Sequence, residues 1–132
     1  AAGRPEDTGV TERIAVDAVM QAERELGRVP EEQDHFNPGY DIISRDPIAG
    51  RSYFIEVKGR VAGASTVTIT RNELLHALNT AENHILALVE VSDDEAGKVT
   101  YVRGFPFEEP GFGVTSVNHS ISALMKHGGE PS

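Results

Sequence analysis

The sequence predicts a mixed α/β sandwich in the order α-β-β-β-α-β-β. Three observations carry that prediction. A helical period runs from Thr8 to Leu26, two runs at Ser52–Arg60 and His84–Val91 have the composition of strands, and a capped helix begins at Thr70 between them.

In the first segment Ala15, Val19, Ala22 and Leu26 recur at i, i+4, i+7 and i+11, which gathers them on one face. Arg13, Asp17, Arg24 and Glu25 fall elsewhere. Asp7 or Thr8 is placed to cap the start, and Gly27 stands where a helix stops. After a polar stretch with Pro30 and Pro38, Tyr40–Arg45 reads as a strand and Asp46–Gly50 as a turn. Ser52–Arg60 (SYFIEVKGR) is the strongest strand, dense in aromatic and β-branched residues. Gly59, Gly63 and Ala64 loosen the chain before a short strand at Thr66–Ile69. Thr70 to Glu73 matches a capping box, and the helix it opens should reach about Glu82 and bury Leu74, Leu75, Leu78 and Ala81. His84–Val91 (HILALVEV) is apolar almost throughout, as a central strand covered on both faces must be. Asp93–Gly97 reads as a turn, Lys98–Arg103 as a return strand, Gly104–Gly113 as irregular and Ile121–His127 as a short last helix.

The 132 residues fit one domain, spanning 1–132 with its core at about 8–103. A start without Met and a Gly-Gly-Glu-Pro-Ser end suggest a domain excised from a larger protein. The chain has no cysteine, which excludes disulfides and thiolate zinc sites and suits a cytoplasmic protein. No apolar run approaches the roughly 20 residues of a membrane span. The formal charge of −9 argues against a general nucleic-acid coat protein. Charge is unevenly spread, however. Residues 51–72 hold Arg51, Lys58, Arg60 and Arg71 against Glu56 alone, a positive island in an acidic chain.

The chemistry concentrates in the hairpin of Tyr40–Arg45 and Ser52–Arg60. A turn symmetric about Asp46–Arg51 sets Arg45 against Ser52, Ile43 against Phe54 and Asp41 against Glu56. Like charges so opposed destabilise a sheet. Lys58 shares the face of Glu56 by alternation. A hard divalent cation gives two such carboxylates a reason, because Mg²⁺ takes one or two carboxylates and leaves its other positions to water and phosphate. Lys58 would then position the water or neutralise developing charge. Glu12 shares a helical stripe with Val16 and Val19 and so tilts toward the core. Thr70, Arg71 and Asn72 stand at a helix N-terminus, where backbone N–H groups favour an anion. The five histidines show no close ligand spacing and read as scattered solvated or capping residues. The sequence has no phosphate-binding loop, nucleophile elbow or EF-hand.

Gly39-Tyr-Asp-Ile42 followed by Ile55-Glu-Val-Lys-Gly59, with fourteen residues between Asp41 and Glu56, resembles the core of the restriction-endonuclease-like superfamily, the PD-(D/E)XK nucleases. Pro38 lies three residues before Asp41 rather than adjacent, a departure at the loosest point of that pattern. More narrowly, GYDI, IEVKGR and TITRNEL in that order resemble the NO VEIN C-terminal domain, a family often found beside helicase-type motors. The resemblance covers residues 9–91. It implies a three-layer sandwich, a mixed sheet flanked by helices, and Mg²⁺- or Mn²⁺-dependent hydrolysis of DNA, with RNA a further possibility. It also implies Asp41, Glu56 and the Val57 carbonyl as metal ligands and Lys58 on the attacking water. Gly9-Val-Thr-Glu12 resembles the first-helix Glu that completes the metal site in resolvase-like members. Arg60, Thr70, Arg71 and Asn72 are the expected nucleic-acid contacts. An attached helicase-type motor and a homodimer are possible partners. The alternative is a catalytically inactive nucleic-acid-binding or interaction module that retains the fold.

Overall fold

The two runs richest in apolar and β-branched residues lie side by side and parallel at the centre of the molecule. A computed structural model describes residues 5–34 and 39–132, with side chains from residue 9 onward in the first segment. Its elements are helix α1 (Pro5–Glu25), strands β1 (Val29–Glu32), β2 (Ile42–Asp46), β3 (Arg51–Val61) and β4 (Thr66–Thr70), helix α2 (Arg71–Asn79) with a 3-10 turn at Ala81–Asn83, strands β5 (His84–Ser92), β6 (Glu95–Val102) and β7 (Ser116–Ser120), helix α3 (Ile121–Met125) and a short strand β8 (Gly128–Gly129). The main sheet runs β1-β2-β3-β5-β6-β8, and β4 pairs with β7 in a separate ribbon. Among the described residues only β3 and β5 are parallel, and a parallel pair needs a crossover, which β4 and α2 supply.

The result is three layers. On one face Ala15, Val16 and Val19 of α1 pack against Ile42, Tyr53, Ile55, Val57, Ile85, Ala87 and Val89. On the other, Leu86, Leu88 and Val102 lie under Val67 and Ile69 of the ribbon, Leu74 of α2, and Ile121 and Leu124 of α3. Alternation along β5 sends Ile85, Ala87 and Val89 one way and Leu86 and Leu88 the other, which is why HILALVEV carries no polar face. Each fully buried leucine stabilises the fold by about 1.5–3 kcal/mol.

Several boundaries differ from the sequence reading, each for a local reason. Helix α1 opens at Pro5, where a missing N–H costs nothing, so the caps expected at Asp7 or Thr8 are not at its start. Their side chains lie outside the described residues, as do His35 and Pro38. Leu26 falls past the helix end and is exposed, while Glu23 takes an inward position at 0% exposure. Glu23 tolerates burial because Arg28 donates to both its oxygens, at 2.7 and 2.9 Å, and the Tyr101 hydroxyl donates at 2.7 Å.

Strand β1 was hidden by Pro30. Proline lacks a ladder donor, but among the described residues β1 is an edge strand paired with β2 alone, with Pro30 opposite Ser44. Helix α2 stops at Asn79, where the Thr80 N–H and hydroxyl both donate to the His76 carbonyl. Ala81 is therefore exposed, Leu75 and Leu78 are half-buried, and Ala77 is the buried residue instead. Asp93 and Asp94, at φ 51° and 59°, form a two-residue primed turn, so the return strand starts at Glu95 rather than Lys98. The last helix ends at Met125 rather than His127. Among the described residues no helix is long and apolar enough to cross a membrane.

Candidate active site

Strand β3 turns Tyr53, Ile55 and Val57 into the core beneath α1, so Phe54, Glu56 and Lys58 point to the opposite face, where α2 lies. The β2–β3 register is the expected one, with Ile43 opposite Phe54 and Arg45 opposite Ser52. It stops one residue short, however. Strand β2 begins at Ile42 rather than Tyr40, and Asp41 lies in the bend before it. Direct cross-strand pairing would aim Asp41 at Glu56. Instead the Asp41 N–H donates to the Ile55 carbonyl at 2.9 Å and its own carbonyl accepts from the Gln33 N–H at 2.8 Å. This slip lets the Asp41 carboxylate take the Val57 N–H at 2.8 Å, which fixes it beside Glu56 by a side-chain bond rather than by the ladder.

Glu56 is only 4% exposed. The carboxyls of Asp41 and Glu73 both come within hydrogen-bonding reach of it. Lys58 Nζ lies 3.5 Å from Glu56 Oε1 but closer, at 2.9 Å, to Glu73 Oε1. Burial first, and then the charges of Asp41 and Glu73, push the Glu56 carboxyl well above the usual range, with Lys58 opposing. Burial also raises Asp41, against the Val57 N–H bond that favours its ionised form. For Glu73, burial is more than offset by hydrogen bonding with Glu56, by Lys58 and by the Thr70 N–H, which leaves it below the usual range. Burial alone would lower the Lys58 ammonium, but Glu56 and Glu73 outweigh it and hold it above its ordinary value.

Glu12 completes the group. It approaches from the first half of α1 and accepts from the Gly59 N–H. Burial raises its pKa, against the attraction of Lys58. The approach is close because Gly59 has no side chain. A Cβ there would meet Thr11 Cγ2 at 3.0 Å and Ala15 Cβ at 3.1 Å. The fold thus brings Glu12, Asp41, Glu56, Lys58 and Glu73, four carboxyl groups and one ammonium, into one electrostatically coupled neighbourhood.

Glu73 was assigned by sequence only to the capping box, which it does form. Its Oε1 accepts from the Thr70 N–H at 2.8 Å, and the Glu73 N–H donates back to Thr70 Oγ1 at 3.3 Å. The same oxygen accepts from Lys58. What could have flagged it was the helix itself, which follows directly on a strand crossing the face that bears Lys58. Of the other expected residues, Thr70 joins the cluster through its N–H bond to Glu73, whereas the bonds of Arg60 and Arg71 go elsewhere. Arg60 Nη2 pairs with Glu90 Oε1 at 3.3 Å. Arg71 donates from its guanidinium to the Gly111 carbonyl at 3.0 Å, and from its backbone N–H to Thr115. Asn72 is exposed. The described histidines are not all solvated or capping residues, which corrects the reading from the sequence. His84 is buried, and burial together with nearby His76 lowers it to about 4. His76 stacks with Tyr40 at 4.7 Å and meets Phe54 edge-on at 5.1 Å.

Among the described residues no three His, Cys, Asp or Glu side chains are arranged to hold a metal ion by themselves. A hard cation does not require three, since one or two carboxylates, a carbonyl and water suffice.

No curated protein matches the chain. Among solved structures, that of Hjc, a Holliday junction resolvase from the archaeal hyperthermophile Archaeoglobus fulgidus, is similar at a TM-score of 0.61 and 15% identity, over 90% of each chain. That likeness is one of fold, a restriction-endonuclease-like three-layer sandwich. The family model described as Protein NO VEIN, C-terminal, matches residues 11–102, from α1 to the end of β6, and encloses all five residues of the cluster. The chain belongs to the NO VEIN C-terminal family.

Proposed function

We propose that this domain hydrolyses phosphodiester bonds in DNA with Mg²⁺ or Mn²⁺. The observation that carries the reading is Glu56, a carboxyl at 4% exposure with Asp41 beside it and Lys58 at 3.5 Å. A buried carboxylate set against two others costs stability, which gives the ionised cluster a need for a counter-charge. A cation would offset that cost. Asp41 and Glu56 would hold it with the Val57 carbonyl, and Glu12 would steady it from α1. Bound there, it would lower the pKa of a water and stabilise charge on the phosphate.

The chain's own residues do the rest. The Val57 N–H orients the Asp41 carboxylate. Glu73 holds the Lys58 ammonium beside the carboxylates, where it directs the attacking water and faces the charge that develops on the phosphoryl oxygens. Arg60 and the first turn of α2 (Thr70, Arg71 and Asn72) flank the cluster and would contact the DNA backbone. In the cell the domain would act in the cytoplasm as one module of a larger protein, beside a helicase-type motor. A second reading, a binding module without catalysis, is favoured by the shorter bond of Lys58 to Glu73 than to Glu56.

Nicking of supercoiled plasmid decides between them. The wild type should nick in Mn²⁺ and not in EDTA, and Glu56→Ala and Lys58→Ala should each abolish nicking. Nicking by Glu56→Ala would remove the proposed centre. No nicking by the wild type, with DNA binding retained, would favour the binding module.

A further inference from the structure

A cavity of about 310 Å³ opens directly beside the cluster, with Glu12, Lys58 and Gly59 in its lining. Val61, Ala64 and Val67 make an apolar side, and Thr11, Thr66, Thr68 and Arg60 bring polar groups. It is at the small end of ligand pockets, far too small for a duplex and of the size of one nucleotide, since such sites run from roughly 300 to 1,000 Å³.

Arg60 is one of the lining residues, and its guanidinium is anchored there by Nη2 at 3.3 Å from Glu90 Oε1. A guanidinium edge and threonine hydroxyls beside an apolar wall match a nucleoside, which offers base carbonyls and ring nitrogens on a flat apolar body. The placement also fits, because a phosphate at Lys58 leaves its neighbouring nucleotide at the mouth of this cavity.

We infer that the cavity receives a single unpaired nucleotide next to the scissile phosphate, so that the preferred substrate is DNA with an unpaired or extruded residue at the cleavage position. This rests on the nuclease reading for the position of the phosphate, but the binding of the nucleotide can be measured without cleavage. Extruding a base from intact duplex is costly and taking up one already unpaired is not, so the wild type should favour a duplex with one unpaired nucleotide over a continuous duplex by about tenfold or more.

The test uses 2-aminopurine as the unpaired residue, in Ca²⁺ for binding and in Mn²⁺ for cleavage, with wild type and Thr66→Trp. Thr66 is exposed at the cavity rim, where a tryptophan suits the strand and fills the space. Emission should rise on binding to the wild type as the base leaves its stack. It should stay flat with Thr66→Trp, whose cleavage of the two substrates should become nearly equal. Ala64→Leu, a smaller filling of the same wall, should give an intermediate result and guards against a misfolded Trp variant. Flat emission with the wild type, or equal emission from all three proteins, overturns the inference. Cleavage of both duplexes at equal rates with flat emission removes the cavity's role and leaves the nuclease standing. Rising emission without cleavage of either does the reverse.

Discussion

Replacing Glu56 by Gln should stabilise the metal-free protein at neutral pH and change little in acid. Glutamine keeps the shape of the buried side chain and mimics its protonated form. The opposing terms can be set side by side. Lys58 at 3.5 Å attracts the Glu56 carboxylate by roughly 5 kcal/mol at an effective dielectric constant of 20. The same ammonium sits closer to Glu73, at 2.9 Å, so its charge is shared. Against it stand a desolvation cost of several kcal/mol for a buried ion and the repulsion of Asp41 and Glu73. The direction of the Glu56 shift says that the unfavourable terms win. A folded pKa raised above the unfolded one gives stability that is complete below the unfolded value and is lost as pH rises through the folded value. The variant lacks that loss. Relative to wild type it should therefore gain about 1–3 kcal/mol at about pH 7.5, the scale of one poorly satisfied buried polar group. It should gain almost nothing at about pH 4.5, near the unfolded pKa. Urea unfolding in EDTA reads this as a midpoint shift of about 1 M at the higher pH, given slopes of about 1–3 kcal/mol/M. A stability difference that is the same at both pH values, or a variant weaker than wild type at neutral pH, would refute the reasoning.

Other expectations concern the frame around the site. Arg28→Met should cost about 3–5 kcal/mol by leaving the Glu23 carboxylate buried and unpaired, and the double variant with Glu23→Leu should recover much of it; equal losses in both would show that the pair is incidental. Gly59→Ala should cost about 1–3 kcal/mol by pushing α1 and Glu12 away from Lys58, and an unchanged unfolding midpoint would show that the close approach does not matter. In DNA binding, Arg60→Ala and Arg71→Ala should each weaken affinity and flatten the slope of log K against log salt by about 1, and unchanged slopes would place the DNA elsewhere.

How much was legible in the sequence follows from how local each determinant is. β5 announced itself because a strand covered on both faces cannot carry polar residues, and the capping box of α2 is written in four consecutive residues. The pairing of Ile43 with Phe54 followed from the turn between them. β1 and β7 did not announce themselves. β1 is an edge carrying proline, and β7 (SVNHS) is short, polar and half-exposed, held by β4 rather than by its own composition. In the cluster, the nearness of Glu56 and Lys58 was readable from alternation, that of Asp41 from the turn register, and that of Glu12 from helical spacing. The means by which Asp41 is held was not readable, because it depends on a one-residue slip against Ile55 that no pattern encodes. Glu73 was visible only as a cap, since its bond to Lys58 joins residues fifteen apart on different elements.

The account turns on Asp41 and Glu56 being a cation site, and thermal unfolding of wild type and Asp41→Asn with and without Mn²⁺ tests that most directly. In EDTA the variant should melt slightly higher, because removing one of the crowded like charges gains about 0.2–1 kcal/mol. Asparagine keeps an oxygen for the Val57 N–H, so the local fold survives. At Mn²⁺ a hundredfold above its dissociation constant the wild type should gain about 2.7 kcal/mol by mass action. That corresponds to a rise of several degrees in Tm. The variant should gain far less, so that the order of the two melting points reverses. An equal Mn²⁺ shift in both proteins, or none in either, would contradict the assignment of Asp41 and with it the central claim.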